Sequence, residues 1–243
     1  MMVLVVGASG ATGQLLVEQL LDRGLKVKVI VRAPDELPDQ QRNHGTLTVI
    51  HAALLDLTDA QLAFHVKGCD AVASCLGHNP SLKGMYGRPR MLVSEATRRL
   101  CRAIKANDPE KPVRFALMNT AGNQNRDASE RINLIEKCVI GVIRTLLPPH
   151  LDNERAADVL RTQIGPYDEL LEWVVVRPDS LTNEAAVTDY VVHPSPIRSA
   201  IFDPGKTSRV NVAHFMAELI ADAAIWRTWR GQMPVVYNRD VAA

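Results

Sequence analysis

The sequence predicts a doubly wound α/β fold, in which helices cover both faces of a parallel sheet. Short apolar runs rich in Val and Ile alternate with amphipathic stretches along most of the 243 residues. This alternation indicates strand, helix, strand units with right-handed crossovers, which build parallel sheets. A glycine-rich turn directly after the first apolar run points the same way, because such turns join the first strand and helix of this fold.

The predicted strands are short and apolar, as buried parallel strands are. They are Met2–Val6, Lys26–Val31, Leu47–Ala52, Ala71–Leu76, Val113–Met118 and Trp173–Arg177. Helical patterns lie between them, at Gly10–Arg23, at Thr58–Val66, at Arg90–Ala106, and over a long region from Ser129 to Gln163 that Pro148 and Pro149 interrupt.

The chain is expected to form a single domain over residues 1–243. A Pro/Gly cluster at residues 193–205 is the nearest feature to a boundary. Only about 40 residues follow it, too few for a second domain without disulfides or metal. Residues 178–243 are predicted to supply a lid on the substrate side and a closing helix, Val212–Ala224.

Composition excludes several functional classes. The 28 Lys and Arg nearly balance the 27 Asp and Glu, which argues against a nucleic-acid partner. No apolar run approaches the roughly 20 residues that span a bilayer, and the opening MMVLVV is expected to be a buried strand, not a signal peptide. The four cysteines lie far apart without a C-x-x-C pair, so we expect no metal site, no disulfide framework and a cytoplasmic location.

The turn after the first strand has the pattern G-x-x-G-x-x-G, which suits the pyrophosphate of a dinucleotide. One glycine permits the tight turn, a second lets N–H groups approach the phosphates, and a third lets the helix lie close to the strand. The residues expected to bind there are Gly7, Ser9, Gly10, Ala11, Thr12 and Gly13. With a strand before and a helix after, the turn predicts a Rossmann-type site.

The residue at the end of the second strand indicates which dinucleotide binds. An NAD site places a carboxylate there for the ribose 2′-OH, whereas this chain has Arg32. A guanidinium pairs with a 2′-phosphate, which favours NADP(H) as the cofactor. The alternative is a solvated surface arginine, since Asp35 and Glu36 follow closely.

Taken in order, several motifs resemble the atypical branch of the short-chain dehydrogenase/reductase superfamily. They are the glycine turn, Asp56-Leu57, Ser74-Cys75-Leu76-Gly77, Asn119-Thr120-Ala121-Gly122 and Val176-Arg177-Pro178. That branch includes flavin and biliverdin-IXβ reductases, proteins classed as NADH-flavin reductases, and NmrA-like regulators. The resemblance runs over most of the chain.

The resemblance implies roles for the adenosine half of the cofactor. Asp56 would accept a hydrogen bond from the adenine amino group, and Leu57 would pack near the ring. An acid that only caps the helix from Thr58 is the alternative for Asp56. Leu76 and Gly77 would lie against the adenine-side ribose.

The resemblance also implies roles at the nicotinamide end. Asn119 and Thr120 would lie close to the ring, and Pro178 with Asp179 and Ser180 would present backbone groups to the carboxamide. All five follow predicted strands, at the edge where open α/β sheets bind ligands.

The chain departs from the classical members, which use a Tyr-x-x-x-Lys pair as their proton donor. None of the four tyrosines has a lysine four residues later. One alignment puts His150 and Glu154 at those two positions, and a shift by one residue gives Leu151 and Arg155. The candidates for catalysis are Thr120, Asn153 and Arg155.

These observations predict an NADPH-dependent oxidoreductase that passes hydride to a conjugated small molecule such as a flavin or quinone. A delocalised acceptor spreads the incoming charge and takes its proton from water, so it needs no tyrosine. A regulator of NmrA-like type that senses NADP(H) without turnover is the alternative. The helix predicted to begin at Ser129 has two alternative roles, pairing with a second copy or packing within its own chain. We expect no membrane partner.

Overall fold

A computed structural model of the chain describes residues 1–78, 89–128, 130, 139, 141 and 147–239. The strands are β1 Met2–Val6, β2 Lys26–Val31, β3 Leu47–His51, β4 Ala71–Ser74, β5 Val113–Met118, β6 Leu171–Pro178, β7 Ser180–Thr182, β8 Tyr190–His193, β9 Lys206–Ser208 and β10 Val235–Asn238. The α-helices are α1 Ala11–Asp22, α2 Asp39–Arg42, α3 Asp59–Val66, α4 Leu92–Ala106, α5 Pro148–Asp158, α6 Arg209–Ala221 and α7 Ala223–Trp229.

The main sheet has the strand order β3-β2-β1-β4-β5-β6-β10-β8. Every neighbouring pair is parallel except β10 with β8, which is antiparallel. The order reverses between β1 and β4, and ligands of open α/β sheets bind at such a switch point. The predicted doubly wound, single-domain fold is confirmed.

Alternating side chains on each strand build two cores, one on each face of the sheet. Val3 and Val5 of β1 belong to the core covered by α1 and α6, whereas Leu4 and Val6 belong to the core covered by α3, α4 and α5. Buried strands covered on both faces carry few polar residues, and this explains why apolar runs identified the central strands.

The end of the chain contributes more to the sheet than the sequence predicted. β10 and β8 extend the main sheet, while β7 and β9 form a separate parallel pair. The closing helix is α6, which begins three residues earlier than predicted, at Arg209. All residues of β8 are only half-buried. A strand in that position does not need the continuous apolar run that marks a central strand, and for this reason the sequence did not indicate it. A lid function for residues 178–243 stays a prediction.

The two adjacent prolines mark the beginning of a helix. Pro148 and Pro149 start α5, where a missing N–H costs no helical hydrogen bond. A π-helical turn, Val159–Ile164, follows. Ser129 and most of the predicted helical region before residue 147 lie outside the described residues, as do Tyr86 and Cys138.

A buried carboxylate joins α5 to α4. Asp152 is fully buried and accepts the first-turn N–H groups of Val93 at 2.7 Å and Ser94 at 2.9 Å, together with the Ser94 hydroxyl at 2.5 Å. His78 Nε2 lies 2.8 Å from the same carboxylate. Burial, the largest effect, raises the pKa of Asp152, but the hydrogen bonds from His78, Ser94 and Val93 outweigh it and lower the pKa below its ordinary value.

We expect Asp152→Ala to lower the free energy of unfolding by about 2–4 kcal/mol, because it leaves buried N–H groups of α4 without an acceptor. Urea unfolding followed by circular dichroism measures the loss. Asp189→Ala is the matched control, since Asp189 is exposed and its nearest cation, Arg239, is 4.0 Å away. An unchanged free energy for Asp152→Ala would contradict the capping role.

The contribution of Asp152 should also depend on pH. Because its folded-state pKa is lowered, the stabilisation is complete above the unfolded pKa, near 4, and is lost as the pH falls through the folded pKa. The difference in stability between the wild type and Asp152→Ala should therefore shrink in acid.

Candidate functional site

A cavity of about 490 Å³ opens at the carboxyl ends of β1, β2 and β4 and the turn after β3. Its volume is in the range of small-molecule and cofactor sites. The predicted cofactor residues that line it are Gly7, Ser9, Gly10, Arg32, Asp56, Leu76 and Gly77.

Two glycines allow the backbone of the turn to pack against its neighbours. Gly7 has a φ of +74°, and a Cβ there would lie 2.5 Å from the Cys75 carbonyl carbon and 2.6 Å from the Leu76 nitrogen. A Cβ on Gly13 would lie 2.8 Å from the Gly7 carbonyl carbon. Any other residue at either position would push the turn away from β4 or α1 away from the turn.

The first turn of α1 is left open to an anion. Gly10 is the N-cap and provides no side-chain acceptor, and the first turn contains no acidic residue. Ala11 is exposed, while Thr12 and Gly13 are buried. The unsatisfied N–H groups and the helix dipole favour a phosphate at this position, next to the cavity.

Arg32 is exposed at the cavity wall. Its guanidinium makes no hydrogen bond or ion pair to any residue within the described part of the chain. Asp35 pairs instead with Arg42 at 2.9 Å, so its charge is balanced, while Glu36 lines the cavity. Arg32 is therefore both solvent-exposed and placed to meet a ligand.

A glutamine that the sequence did not indicate ties the glycine turn to the segment after β2. Gln14 Nε2 donates to the carbonyls of Ser9 at 3.0 Å and Glu36 at 2.8 Å, and the Gln14 carbonyl accepts from Gln41 Nε2 at 3.0 Å. These contacts hold two walls of the cavity together. The position of Gln14 directly after the last glycine of the turn is the only feature of the sequence that could have indicated this role.

A second unpredicted residue holds the turn that carries Asp56. Arg99 of α4 donates from Nη1 to the Leu55 carbonyl at 2.8 Å and from Nη2 to the Leu57 carbonyl, and it also pairs with Asp59 at 3.0 Å. Leu55 lines the cavity, whereas Leu57 does not. The Leu57 side chain packs against the core under α3 and α4.

Two of the predicted nicotinamide-side residues, Asn119 and Thr120, lie at the end of β5, outside the cavity. Asn119 Oδ1 accepts from the Thr120 N–H at 2.9 Å and from Asn123 Nδ2 at 3.2 Å, and Asn119 Nδ2 donates to the Asn153 carbonyl at 2.9 Å. The Thr120 hydroxyl accepts from the Gly122 N–H at 3.3 Å. Asn119 thus clamps the loop after β5 to α5.

The backbone groups after β6 are already engaged. The Pro178 carbonyl accepts the Ala121 N–H at 2.8 Å, and the Asp179 N–H donates to Thr207 Oγ1 at 3.2 Å. The Ser180 N–H is also bonded, to the Gly205 carbonyl at 3.1 Å. The N–H groups of Asp179 and Ser180 therefore hold β7 against β9 and are not free for a carboxamide.

The residues of the two alignments left open by the sequence differ in their burial on α5. The side chains of His150 and Glu154 are only 14% and 8% exposed and approach each other to 3.4 Å. Arg155 is exposed, and its Nη1 lies 3.7 Å from Met91 Sδ. The helix therefore turns His150 and Glu154 inward, whereas Arg155 lies on its exposed side.

The described residues provide neither a reactive thiol in the cavity nor a metal site. Cys75 lines the cavity, and burial raises its pKa to about 12, so it is a neutral thiol and not a nucleophile. Among the described residues, no group of His, Cys, Asp and Glu has the arrangement of a metal site. No helix in the described ranges has both the length and the apolar character needed to cross a bilayer.

A sequence profile of the NAD(P)H-binding family matches residues 7–223. No curated protein matches the chain. Among solved structures, a short-chain dehydrogenase/reductase from Veillonella parvula, determined in complex with NADP, aligns with a TM-score of 0.71 at 18% identity, over 100% of this chain and 96% of that one.

Two further structures align over nearly the whole chain. A candidate NADH-flavin reductase from Streptococcus pneumoniae has a TM-score of 0.66 at 18% identity, over 98% of this chain and 100% of that one. A candidate NAD-dependent epimerase/dehydratase from Bacillus halodurans has a TM-score of 0.70 at 21% identity, over 99% of this chain and 95% of that one. At these identities the structures show a shared fold. With the family profile and the glycine turn, they establish that the chain belongs to the NAD(P)H-binding family, in keeping with its resemblance to atypical short-chain dehydrogenase/reductases.

Proposed function

We propose that the protein is an NADPH-dependent oxidoreductase that transfers hydride to a conjugated small molecule such as a flavin or a quinone. The observation that carries the choice of cofactor is the Arg32 guanidinium at the wall of the cavity, which pairs with no other described residue. A small-molecule acceptor is the partner we propose. The free, buried cysteines Cys69, Cys75 and Cys101 fit a reducing cytoplasm.

The cavity fits the adenosine half of the dinucleotide. The open N-terminus of α1 would bind the pyrophosphate, Asp56 would accept from the adenine amino group, and Gly77 leaves room for the ribose. Arg32 would then pair with the 2′-phosphate in a charge-assisted hydrogen bond. The ion pair of Asp35 with Arg42 balances the charge of one of the two acids that follow Arg32, which supports NADP(H) over NAD(H).

The sheet order supports the placement of the other half. With the adenosine half over β2 and β3, the rest of the dinucleotide would cross the switch point between β1 and β4 towards the end of β5. Asn119 holds the loop there in place. The bound cofactor would supply the hydride, and the loop after β5 and the inward face of α5 would position the acceptor.

The described tyrosines support a conjugated acceptor over a simple ketone. Tyr167 is 94% exposed, Tyr190 is bonded to His214 at 2.8 Å, and Tyr237 packs against Gly205. None of these three belongs to α5, and Tyr237, which packs with Ala121 of the loop after β5, is buried in an apolar cluster with Val235. The similar fold of the Streptococcus pneumoniae protein agrees with a flavin-type acceptor.

We expect the wild type to bind NADPH more tightly than NADH, and Arg32→Ala to weaken NADPH binding about ten- to a hundredfold while leaving NADH binding unchanged. The loss of one charged hydrogen-bonded contact accounts for this size. Fluorescence titration of the reduced cofactors measures both affinities. Arg102→Ala, at an exposed position of α4, is the matched control. Equal affinities of the wild type for the two cofactors would contradict this role and show that Arg32 does not bind the 2′-phosphate.

Arg99→Ala should weaken binding of the adenosine half about tenfold, because the turn carrying Asp56 loses its anchor. Calorimetry with 2′-phospho-ADP-ribose measures the loss. Nicotinamide mononucleotide, which lacks adenine, should bind the variant and the wild type equally. Arg98→Ala, whose side chain pairs with the partly exposed Glu95, is the control. Equal losses for both ligands would indicate general unfolding instead.

We expect slow oxidation of NADPH by flavins and quinones and none by simple ketones, followed as the decrease in reduced-nicotinamide absorbance. Positioning of donor and acceptor about 3–3.5 Å apart accelerates hydride transfer to a delocalised acceptor. Efficient reduction of a simple ketone would contradict the acceptor class. Tight NADPH binding without oxidation by any acceptor would instead support a sensor of NADP(H).

A further inference from the structure

The cavity carries opposite charges beside the place proposed for the adenosine ribose. The charged residues that line it within the described chain are Arg32, Glu36 and Asp56. Asp56 is assigned to the adenine amino group, so Arg32 and Glu36 remain for the ribose. NADH has a hydroxyl at the 2′ position of this ribose and NADPH has a phosphate there. Arg32 and Glu36 therefore lie at the part of the site where the two cofactors differ.

The backbone of Glu36 is held against the glycine turn. Glu36 ends the 3₁₀ turn Pro34–Glu36. Its carbonyl accepts from Gln14 Nε2 at 2.8 Å, and the same amide donates to the Ser9 carbonyl at 3.0 Å. The next side chain, Leu37, is buried in the core under α1 and α6. Glu36 is therefore fixed in position relative to the turn that would bind the pyrophosphate.

The Glu36 carboxylate differs from the acids beside it. Asp35 and Asp39 both pair with Arg42, which balances their charge. The Glu36 side chain is exposed and makes no hydrogen bond or ion pair with any residue of the described ranges. Glu36 is thus the acid of this segment whose charge no described cation balances, and it lines the same cavity as Arg32.

The two cofactors respond to this carboxylate in opposite ways. A ribose 2′-hydroxyl can donate a hydrogen bond to a carboxylate, which is the contact that NAD sites use. A phosphate monoester carries about two negative charges near neutral pH, so a carboxylate repels it and a guanidinium attracts it. Arg32 by itself would favour NADPH strongly, and Glu36 opposes that preference.

Resting on the proposed oxidoreductase function, we propose that Glu36 is a specificity-determining residue that lets the site accept NADH as well as NADPH. Its carboxylate accepts a hydrogen bond from the 2′-hydroxyl of NADH and repels the 2′-phosphate of NADPH. Arg32 keeps NADPH the tighter ligand, and Glu36 limits the difference between the two affinities.

A first experiment tests the hydrogen bond without turnover. Calorimetry compares ADP-ribose with its analogue that lacks the 2′-hydroxyl on the adenosine ribose. We expect the wild type to bind ADP-ribose about three- to tenfold more tightly than the analogue, and Glu36→Ala to abolish that difference. Equal binding of the two ligands by the wild type, or the same difference in Glu36→Ala, would overturn the proposal.

A second experiment tests the repulsion. Glu36→Gln should strengthen binding of 2′-phospho-ADP-ribose about two- to fivefold at low ionic strength, the size of one exposed charge interaction, and added salt should reduce the gain. Glu110→Gln is the matched control, because Glu110 is exposed on the loop before β5, at the amino ends of the strands and away from the cavity. Binding by Glu36→Gln that is no tighter than by Glu110→Gln, or a gain that salt leaves unchanged, would overturn the proposal.

The outcomes separate the role of Glu36 from the proposed function. Oxidation of NADPH by an acceptor, together with Glu36 variants that bind all three ligands as the wild type does, would overturn the role of Glu36 and leave the function standing. The expected binding pattern without oxidation of either reduced cofactor by any acceptor would overturn the function and leave the role of Glu36 in binding standing. Failure of the wild type to bind any of the three ligands would overturn both.

Discussion

The site depends on a backbone contact that only glycine permits. Gly7 lies so close to the end of β4 that a Cβ would overlap the Cys75 carbonyl, and Gly13 lies as close to Gly7 itself. These contacts set the N-terminus of α1 directly at the switch point between β1 and β4. The helix can present its unsatisfied N–H groups to a ligand only because the turn is this tight. The cavity beside the turn follows from the same geometry.

The second constraint is the position of α5. Asp152 joins its buried side to the first turn of α4, and Asn119 joins its backbone to the loop after β5. A helix with so few large apolar residues would pack weakly by hydrophobic contact alone. The hydrogen bonds instead fix its rotation, which is why His150 and Glu154 face inward and Arg155 faces solvent.

The arginines around the cofactor cavity have different roles that their residue type does not reveal. Arg32 is free to meet a ligand, Arg42 balances an acid in the adjacent segment, and Arg99 binds main-chain carbonyls of the turn that carries Asp56. Of these three arginines, Arg32 is the one whose charge is available for a phosphate. Arg42 and Arg99 are instead held by partners within the protein.

The sequence by itself determined the doubly wound fold, the glycine turn and the position of Arg32, because these follow from local patterns: apolar runs, glycine spacing and the end of one strand. Tertiary structure decided the rest. Arg99 meets Leu55 across 44 residues, and Asp152 meets Ser94 across 58. The half-buried edge strand β8 also forms only against β10. Hydrogen bonds and pairing between distant segments leave no periodic signal in the chain, since any polar residue at those positions looks like a solvated one until the fold brings its partner beside it.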